Sequence, residues 1–408
     1  MALEVRIERL GAQGDGVAEG PDGPIFVPFV LPGEKVRIEP SGAGRAYPIE
    51  VLERSRHRTE PDCPHFGACG GCALQHLGTG PYLAWKRGLV VAALKARGLE
   101  AEVEPVREVP RGSRRRAALA LGREDGKVIL GYRRVRSHEL IEVGVCPVLS
   151  PRIVSALPAL KRALAPLLGG KSEARVSLTE TEGGLDIVLE GVKPGSAALG
   201  AFAAKASKLG IARLSVGGDS IGPVVAPKVD LSGVKVKLPP GAFLQASREA
   251  EAVLSELVRE GAAGAKHIAD LFAGLGTFTF ALAKEAAVDA YEADAAALAA
   301  LSEAARKTPK LKPVRTFVRD LFRTPLSARE LKVYDAVVLD PPRAGASAQA
   351  RELAKSEVPK LVAVSCNPGT LARDLRLLVD GGYRITRMVP VDQFLFSPHI
   401  EVVAHLER

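Results

Sequence analysis

No run of about 18 uncharged apolar residues occurs in this 408-residue chain, so no membrane-spanning helix is expected. The opening stretch MALEVRIERL alternates charged and apolar residues and lacks the apolar core of a secretion signal. The expected compartment is therefore the cytoplasm, where thiols stay reduced. Cysteine is scarce: Cys63, Cys69, Cys72, Cys146 and Cys366 are the five present. In a reducing compartment so few thiols read as ligands or nucleophiles rather than disulfides. Internal repeats and low-complexity tails are also absent. Positive charge is plentiful, with 56 Lys and Arg against 47 Asp and Glu, a net +9. That balance suits a polyanionic partner, and ordinary solubilising charge equally well.

The length allows two or three domains. Residues 1–55 read as about five short strands split by Gly and Pro turns, which suggests a small β-barrel of the OB type. Residues 56–240 open with a Cys-rich loop, continue into a helix near 81–97, and then mix strands and helices, a central α+β unit. From about Gly241 apolar strands alternate with helices, the pattern of a parallel, doubly wound sheet of about seven strands. The fold class is thus α/β, and ligands in such sheets bind beyond the carboxyl ends of the strands.

Those strand ends carry the chemistry. In DLFAGLGTFTF, Gly274 and Gly276 permit a tight turn and close approach of backbone to a ligand. Glu292 ends the next strand, 18 residues after Gly274, where an acid can accept hydrogen bonds from two ribose hydroxyls. Asp320 ends the third, within reach of an adenine amino group. A G-x-G alone is weak, since structural turns use the same glycines. Position 279 is Thr instead of the third glycine of a dinucleotide fingerprint, and no second mononucleotide half follows. Both features favour a ligand with one nucleoside, such as S-adenosylmethionine, over NAD. DPPR (340–343) makes a rigid turn suited to gripping a planar base, or simply a strand terminator.

Cys366 ends the fifth strand beside that turn, within LVAVSCNPGT. A thiolate added to C6 of a pyrimidine turns C5 into a carbanion able to attack an electrophilic methyl. The C5 proton must then leave, and Glu401 in SPHIEVVAHL is the candidate base, with His399 two residues away as the runner-up. The plainer readings are a buried structural thiol and an exposed strand carboxylate. Cys63, Cys69 and Cys72 form C-x5-C-x2-C, and Cys146 lies far along the chain. Together they make four soft ligands for zinc or an iron–sulfur cluster, which spacing does not separate. Arg111, Arg114, Arg115, Arg116, Arg133, Arg134 and Arg136 gather in the middle segment, either as phosphate contacts or as a solvated strand face.

With these motifs in view the chain resembles the RNA uracil-C5 methyltransferases, and more closely their iron–sulfur 23S rRNA (uracil-5-)-methyltransferase branch. The resemblance runs over nearly all of the chain. It implies a class I S-adenosylmethionine-dependent methyltransferase (Rossmann-like) at 241–408, a TRAM barrel at 1–55, and an iron–sulfur and RNA-binding segment between them. C-x5-CGGC with the later Cys146 resembles the family's [4Fe–4S] site. GAFLQ resembles its Phe-x-Gln element, so Gln245 would touch the methyl donor, and Phe272, Glu292 and Asp340 fall on other cofactor positions. SCNP and HIEVV match the nucleophile and base motifs, which implies Cys366 and Glu401 in those roles. Thr277 stands where Asn is usual, and Leu395 and Pro398 alter the loop before the base. The implied partner is RNA, with 23S rRNA first and tRNA as the alternative. No membrane, no DNA and a monomeric state are expected. A rival reading is a non-catalytic RNA-binding protein that keeps a cofactor fold.

Overall fold

The computed structural model describes residues 2–171, 173–221 and 225–408. Short strands, bent wherever Gly or Pro interrupts them, build the N-terminal sheet. They are β1 (Leu3–Arg6), β2 (Arg9–Leu10), β3 (Gly16–Gly20), β4 (Gly23–Val27), β5 (Lys35–Gly42) and β6 (Arg45–Glu53), in the order β1-β5-β6-β4-β3-β2. Six strands stand where five were expected, because the first predicted strand breaks at Ile7–Glu8. Alternating residues such as Val27, Val36 and Ile38 fill the interior.

The chain then passes through the Cys-rich loop into α1 (Thr79–Lys95), followed by β7 (Arg107–Glu108). Next come β8 (Arg116–Glu124), β9 (Lys127–Arg133), β10 (Leu140–Glu142), α2 (Pro151–Leu164), β11 (Glu173–Thr181), β12 (Gly184–Glu190), α3 (Ser196–Ala206), β13 (Ile211–Val216) and β14 (Asp219–Ile221). Their sheet runs β10-β9-β8-β11-β12-β13-β14, with α2 and α3 packed over one apolar face. Pro158 sits inside α2 without ending it. A hairpin of β15 (Lys228–Leu231) and β16 (Val234–Lys237) leads into the last sheet.

That sheet contains β17 (His267–Leu271), β18 (Ala287–Glu292), β19 (Val314–Val318), β20 (Ala336–Leu339), β21 (Lys360–Ser365), β22 (Arg384–Asp392) and β23 (Glu401–Glu407). Between them lie α4 (Arg248–Gly261, before β17), α5 (Thr277–Leu282), α6 (Ala295–Lys307), α7 (Ala328–Leu331), α8 (Ser347–Ala354) and α9 (Pro368–Asp380). The order is β19-β18-β17-β20-β21-β23-β22, with β7 added as an eighth, two-residue edge strand. The strands from β19 to β21 are parallel, and β23 runs antiparallel between β21 and β22. Near-continuous apolar runs such as AVVL and LVAV are what a sheet covered on both faces requires. Val90, Leu94, Leu99 and Val103, from α1 and the chain after it, share a core with this sheet and α9. No helix among the described residues is long and apolar enough to cross a membrane.

Candidate active site

The parallel strands all end on one edge, and the residues that follow them form the site. Asp270, Glu292, Asp340 and Cys366 follow or close β17, β18, β20 and β21, respectively. Phe272 has φ +63°, a left-handed conformation that strains a bulky residue and recurs at ligand sites. Its ring lies 5.4 Å from that of Phe322. Gly274 has φ +54°, and a β-carbon there would point into open space. A β-carbon on Gly276 would come within 2.7 Å of the Phe280 ring. One glycine thus leaves room for a ligand and the other closes the turn onto α5, which Thr277 begins. The Glu292 carboxylate accepts hydrogen bonds from the backbone N–H groups of Gly274 at 2.9 Å and Asp294 at 2.8 Å, which aligns it with the glycine turn. Asp320 stands off at the outer end of β19, where its carboxylate caps its own turn by accepting from Phe322 and Arg323 N–H groups.

The thiol and the carboxylate meet through strand register. Ser365 on β21 pairs with Val402 on β23. The next rung carries Cys366 and Glu401, on adjacent strands where side chains lie about 5 Å apart. Asn367 caps α9 by accepting from Gly369 N at 3.0 Å, and Pro368 starts the helix, so Cys366 is held between a strand end and a helix start. The Arg343 carbonyl accepts hydrogen bonds from the Asn367 amide and the Thr370 hydroxyl, both at 3.2 Å, tying the DPPR turn to the cysteine.

The electrostatics are those of a largely buried, acid-rich cluster. Burial, then the nearby carboxylates of Glu401 and Asp340, push the Cys366 thiol up to about 11, against the opposing pull of Arg343. Glu401 is driven well above the usual carboxylate range by burial and by Asp340. Burial and the charge of Asp270 raise Asp340 too. Asp270 itself reaches about 7 through burial, while the Thr279 hydroxyl donates to it. His399 drops to about 4, chiefly by burial and then by Arg343, which lies 3.1 Å from its ring. A histidine so reluctant to take a proton is a poor base beside Glu401.

Two features escaped sequence reading. Gln393 sits between Gln245 and Glu401 and hydrogen-bonds to both. Lys86 on α1 is fully buried; it donates to Asp392 at 2.7 Å, to the Phe394 carbonyl at 3.2 Å, and to the His399 carbonyl. The ammonium thus spends its three protons on both ends of the loop before Glu401. Gln245 and Lys86 lie 148 and 306 positions from the residues they join, Gln393 and Asp392, so no local pattern reveals either link.

A groove of about 930 Å³ runs from the N-terminal sheet to Arg343, Phe394 and His399, beside this site. Arg45 lines it from the N-terminal sheet, Arg114, Arg133, Arg134, Arg136 and Arg175 from the middle segment, and Arg343, Phe394 and His399 at the catalytic end. The predicted arginine cluster is therefore only partly a surface. Arg115 is buried, donates to the Gln245 carbonyl at 3.1 Å and pairs with Glu251, so it serves the scaffold and not a phosphate. Arg116 donates to the Leu244 carbonyl at 2.7 Å and stacks on Phe243, and Arg111 pairs with Asp62.

Cys63, Cys69, Cys72 and Cys146 line one cavity of about 130 Å³, with Tyr132 and Arg114 in its wall. Burial raises Cys69 and pushes Cys72 up to about 12, and neighbouring thiolates add to both shifts. Among the described residues no group of three or more His, Cys, Asp or Glu side chains is set out to hold a metal ion.

Known proteins resemble this chain in sequence and in fold. A family model described as tRNA (Uracil-5-)-methyltransferase matches residues 234–408. An RNA methyltransferase of Rhizobium meliloti is 47% identical, covering 99% of both chains. The 23S rRNA (uracil(1939)-C(5))-methyltransferase of Salmonella choleraesuis is 32% identical, covering all of this chain and 96% of that one. The crystal structure of Pyrococcus abyssi tRNA (uracil-54, C5)-methyltransferase, in complex with S-adenosyl-L-homocysteine, superposes with a TM-score of 0.74 at 25% identity over 99% of both chains. The strand order 3-2-1-4-5-7-6 and the full-length likeness agree, and this chain belongs to the S-adenosylmethionine-dependent RNA (uracil-5-)-methyltransferase family.

Proposed function

We propose that the protein methylates C5 of a uracil in 23S rRNA, with Cys366 as nucleophile and Glu401 as base. The observation that carries this reading is the rung that sets Cys366 beside Glu401 at the nucleoside edge of the sheet. S-adenosylmethionine, when bound, supplies the electrophilic methyl group. Phe272, Gly274, Gly276, Thr277, Glu292, Asp320, Asp340 and Gln245 are the residues that would hold it; the open space at Gly274 and the strained Phe272 fit such a ligand. Cys366 adds to C6, which places a nucleophilic electron pair on C5. After methylation Glu401 removes the C5 proton; the C5–H electrons form the C5–C6 double bond, and the C6–S bond breaks to return its pair to sulfur. Burial makes Glu401 a strong enough base for that step. Arg343 offsets the acidic surroundings of Cys366 and favours its thiolate.

The target carbon is hidden in stacked RNA, so the base must be unpaired or flipped out. The arginine-lined groove, ending at Phe394 and His399, suits a phosphate backbone leading to such a base. The four remaining cysteines are read as a structural [4Fe–4S] site. Four thiols line one cavity, a soft donor set that zinc or an iron–sulfur cluster could use, and the resemblance to the iron–sulfur branch is what favours the cluster. Divisions near residues 55 and 240 separate three units, with residues 79–109 crossing back onto the catalytic sheet. Relatives of both kinds make tRNA the second substrate to test. Purified rRNA and tRNA methylated in parallel, with the modified nucleotide mapped in cells with and without the protein, should show 5-methyluridine in 23S rRNA. Methylation confined to tRNA would overturn that choice. Anaerobically purified protein should be brown and contain iron and sulfide; colourless protein holding one zinc would remove the cluster.

A further inference from the structure

Gln393 is 3% exposed and lies in the loop that joins β22 to the catalytic β23. Its amide is fully committed, and each bond has a direction. The backbone N–H of Ala246 donates to Oε1 at 3.0 Å, so the Nε2 protons face the other way. One goes to Glu401 Oε2 at 2.6 Å and the other to Gln245 Oε1 at 2.9 Å. Gln245 in turn donates to Asp340 Oδ2 at 3.2 Å. The result is one hydrogen-bonded row, Ala246–Gln393–Gln245–Asp340, with Glu401 attached at its middle.

We infer that Gln393 is the positioning residue for proton abstraction, holding Glu401 by one oxygen so that the other faces the substrate while the same amide orients Gln245 on the donor side. This rests on Cys366 and Glu401 acting as proposed above. Gln393 engages Oε2, and no hydrogen bond to Oε1 is found among the described residues, which leaves Oε1 as the oxygen to take the C5 proton. A donor on Oε2 binds a carboxylate more strongly than a carboxylic acid, so it opposes the rise in basicity caused by burial and keeps a fraction of Glu401 ionised. Every charged neighbour fits this arrangement. Asp340 after β20 and Cys366 after β21 face Glu401. Asp270 after β17 faces Asp340, and Arg343 faces Cys366. Asp392 on β22 is held by Lys86 of α1, and Glu251 of α4 by Arg115. Gln393 is therefore the one side-chain donor to Glu401 among the described residues.

The test uses the full-length protein and unmodified RNA substrate in single turnover. In Gln393→Leu the C5-methylated RNA should stay attached to Cys366, because removal of the C5 proton, and with it the break of the C6–S bond, becomes slow. The acidic limb of adduct decay should move up by about one to two pH units, the size expected for a lost hydrogen bond to a charged group. The sign follows from the donor's effect: it lowers the proton affinity of Glu401, so its removal raises that affinity, and the ionised base appears only at higher pH. Gln393→Glu, which keeps the size and the acceptor for Ala246, should shift the limb in the same direction and decides the matter should the leucine variant not fold. Adduct decay at the parental rate, with an unmoved limb in the folded variants, overturns the role of Gln393. A Cys366→Ala variant run alongside separates the two readings. If it methylates, the nucleophile assignment itself falls; if it is inert, the Gln393 results bear on Gln393 alone.

Discussion

At the scale of single residues, the Cys366 thiol resists ionisation, pushed up to about 11 by burial and two acids. The proposed attacking species is the thiolate, whose fraction rises about tenfold for each unit that the pH climbs toward that value. Adduct formation with RNA carrying 5-fluorouracil should therefore quicken by about that factor from pH 7 to 8, and a flat rate across that unit would mean that bound RNA has already ionised the thiol. The glycine turn gives a second residue-level contrast. Gly274→Ala meets no atoms within 4 Å but adopts φ +54°, so it should leave melting within about 1 kcal/mol of the parent while weakening donor binding. Gly276→Ala drives a methyl into Phe280 and Leu301 and should lower stability by about 1–3 kcal/mol. Calorimetric titration and thermal melts of the two variants separate these effects. The placement of Cys366 and Glu401 was legible in the sequence because each sits at the end of a near-continuous apolar strand, inside a short motif. Gln393 was not, because its role depends on the register that brings it against Gln245, 148 positions away.

At the scale of elements, α1 grips the loop before Glu401. Lys86 and Asp392 are both buried and 306 positions apart, a pairing that no local pattern reveals. Tyr82 of the same helix donates to Asp392 at 2.5 Å and accepts from the Phe396 backbone N–H at 2.9 Å, so the helix grips the loop at several points. Removing one partner of a buried pair leaves an uncompensated charge, which costs about 3–5 kcal/mol. Lys86→Met should therefore lower the melting temperature sharply and reduce methylation even at temperatures where the variant is folded. Adding Asp392→Asn should restore part of the stability without restoring the rate, since the loop carbonyls still lack their donor. Recovery of both together would mean that the pair holds the fold alone. The strands and helices of the catalytic sheet were legible because apolar runs of four to six residues alternate with amphipathic helices. The two-residue strand β7 was not, since so short a segment has no periodicity and pairs only because β22 offers an edge.

At the scale of the whole molecule, the +9 charge is not spread evenly in its uses. Part of it is consumed internally, as at Arg115, and part lines the groove between the N-terminal sheet and the catalytic end. Sequence alone did not divide these arginines, because neighbours in RGSRRR point to opposite surroundings. Arg45→Ala and Arg175→Ala should each weaken RNA binding across sequences and lower the slope of log K against log salt by about one; an unchanged slope would place the RNA elsewhere. The most direct test of covalent catalysis by Cys366 combines full-length protein, S-adenosylmethionine and a 23S rRNA fragment carrying 5-fluorouracil, resolved by denaturing electrophoresis and peptide mapping. A stable RNA–protein adduct, methylated at C5 and attached through Cys366, is expected, and it should be lost in Cys366→Ala. Methylation by the Cys366→Ala variant, or an adduct mapped to another residue, would contradict covalent catalysis by Cys366.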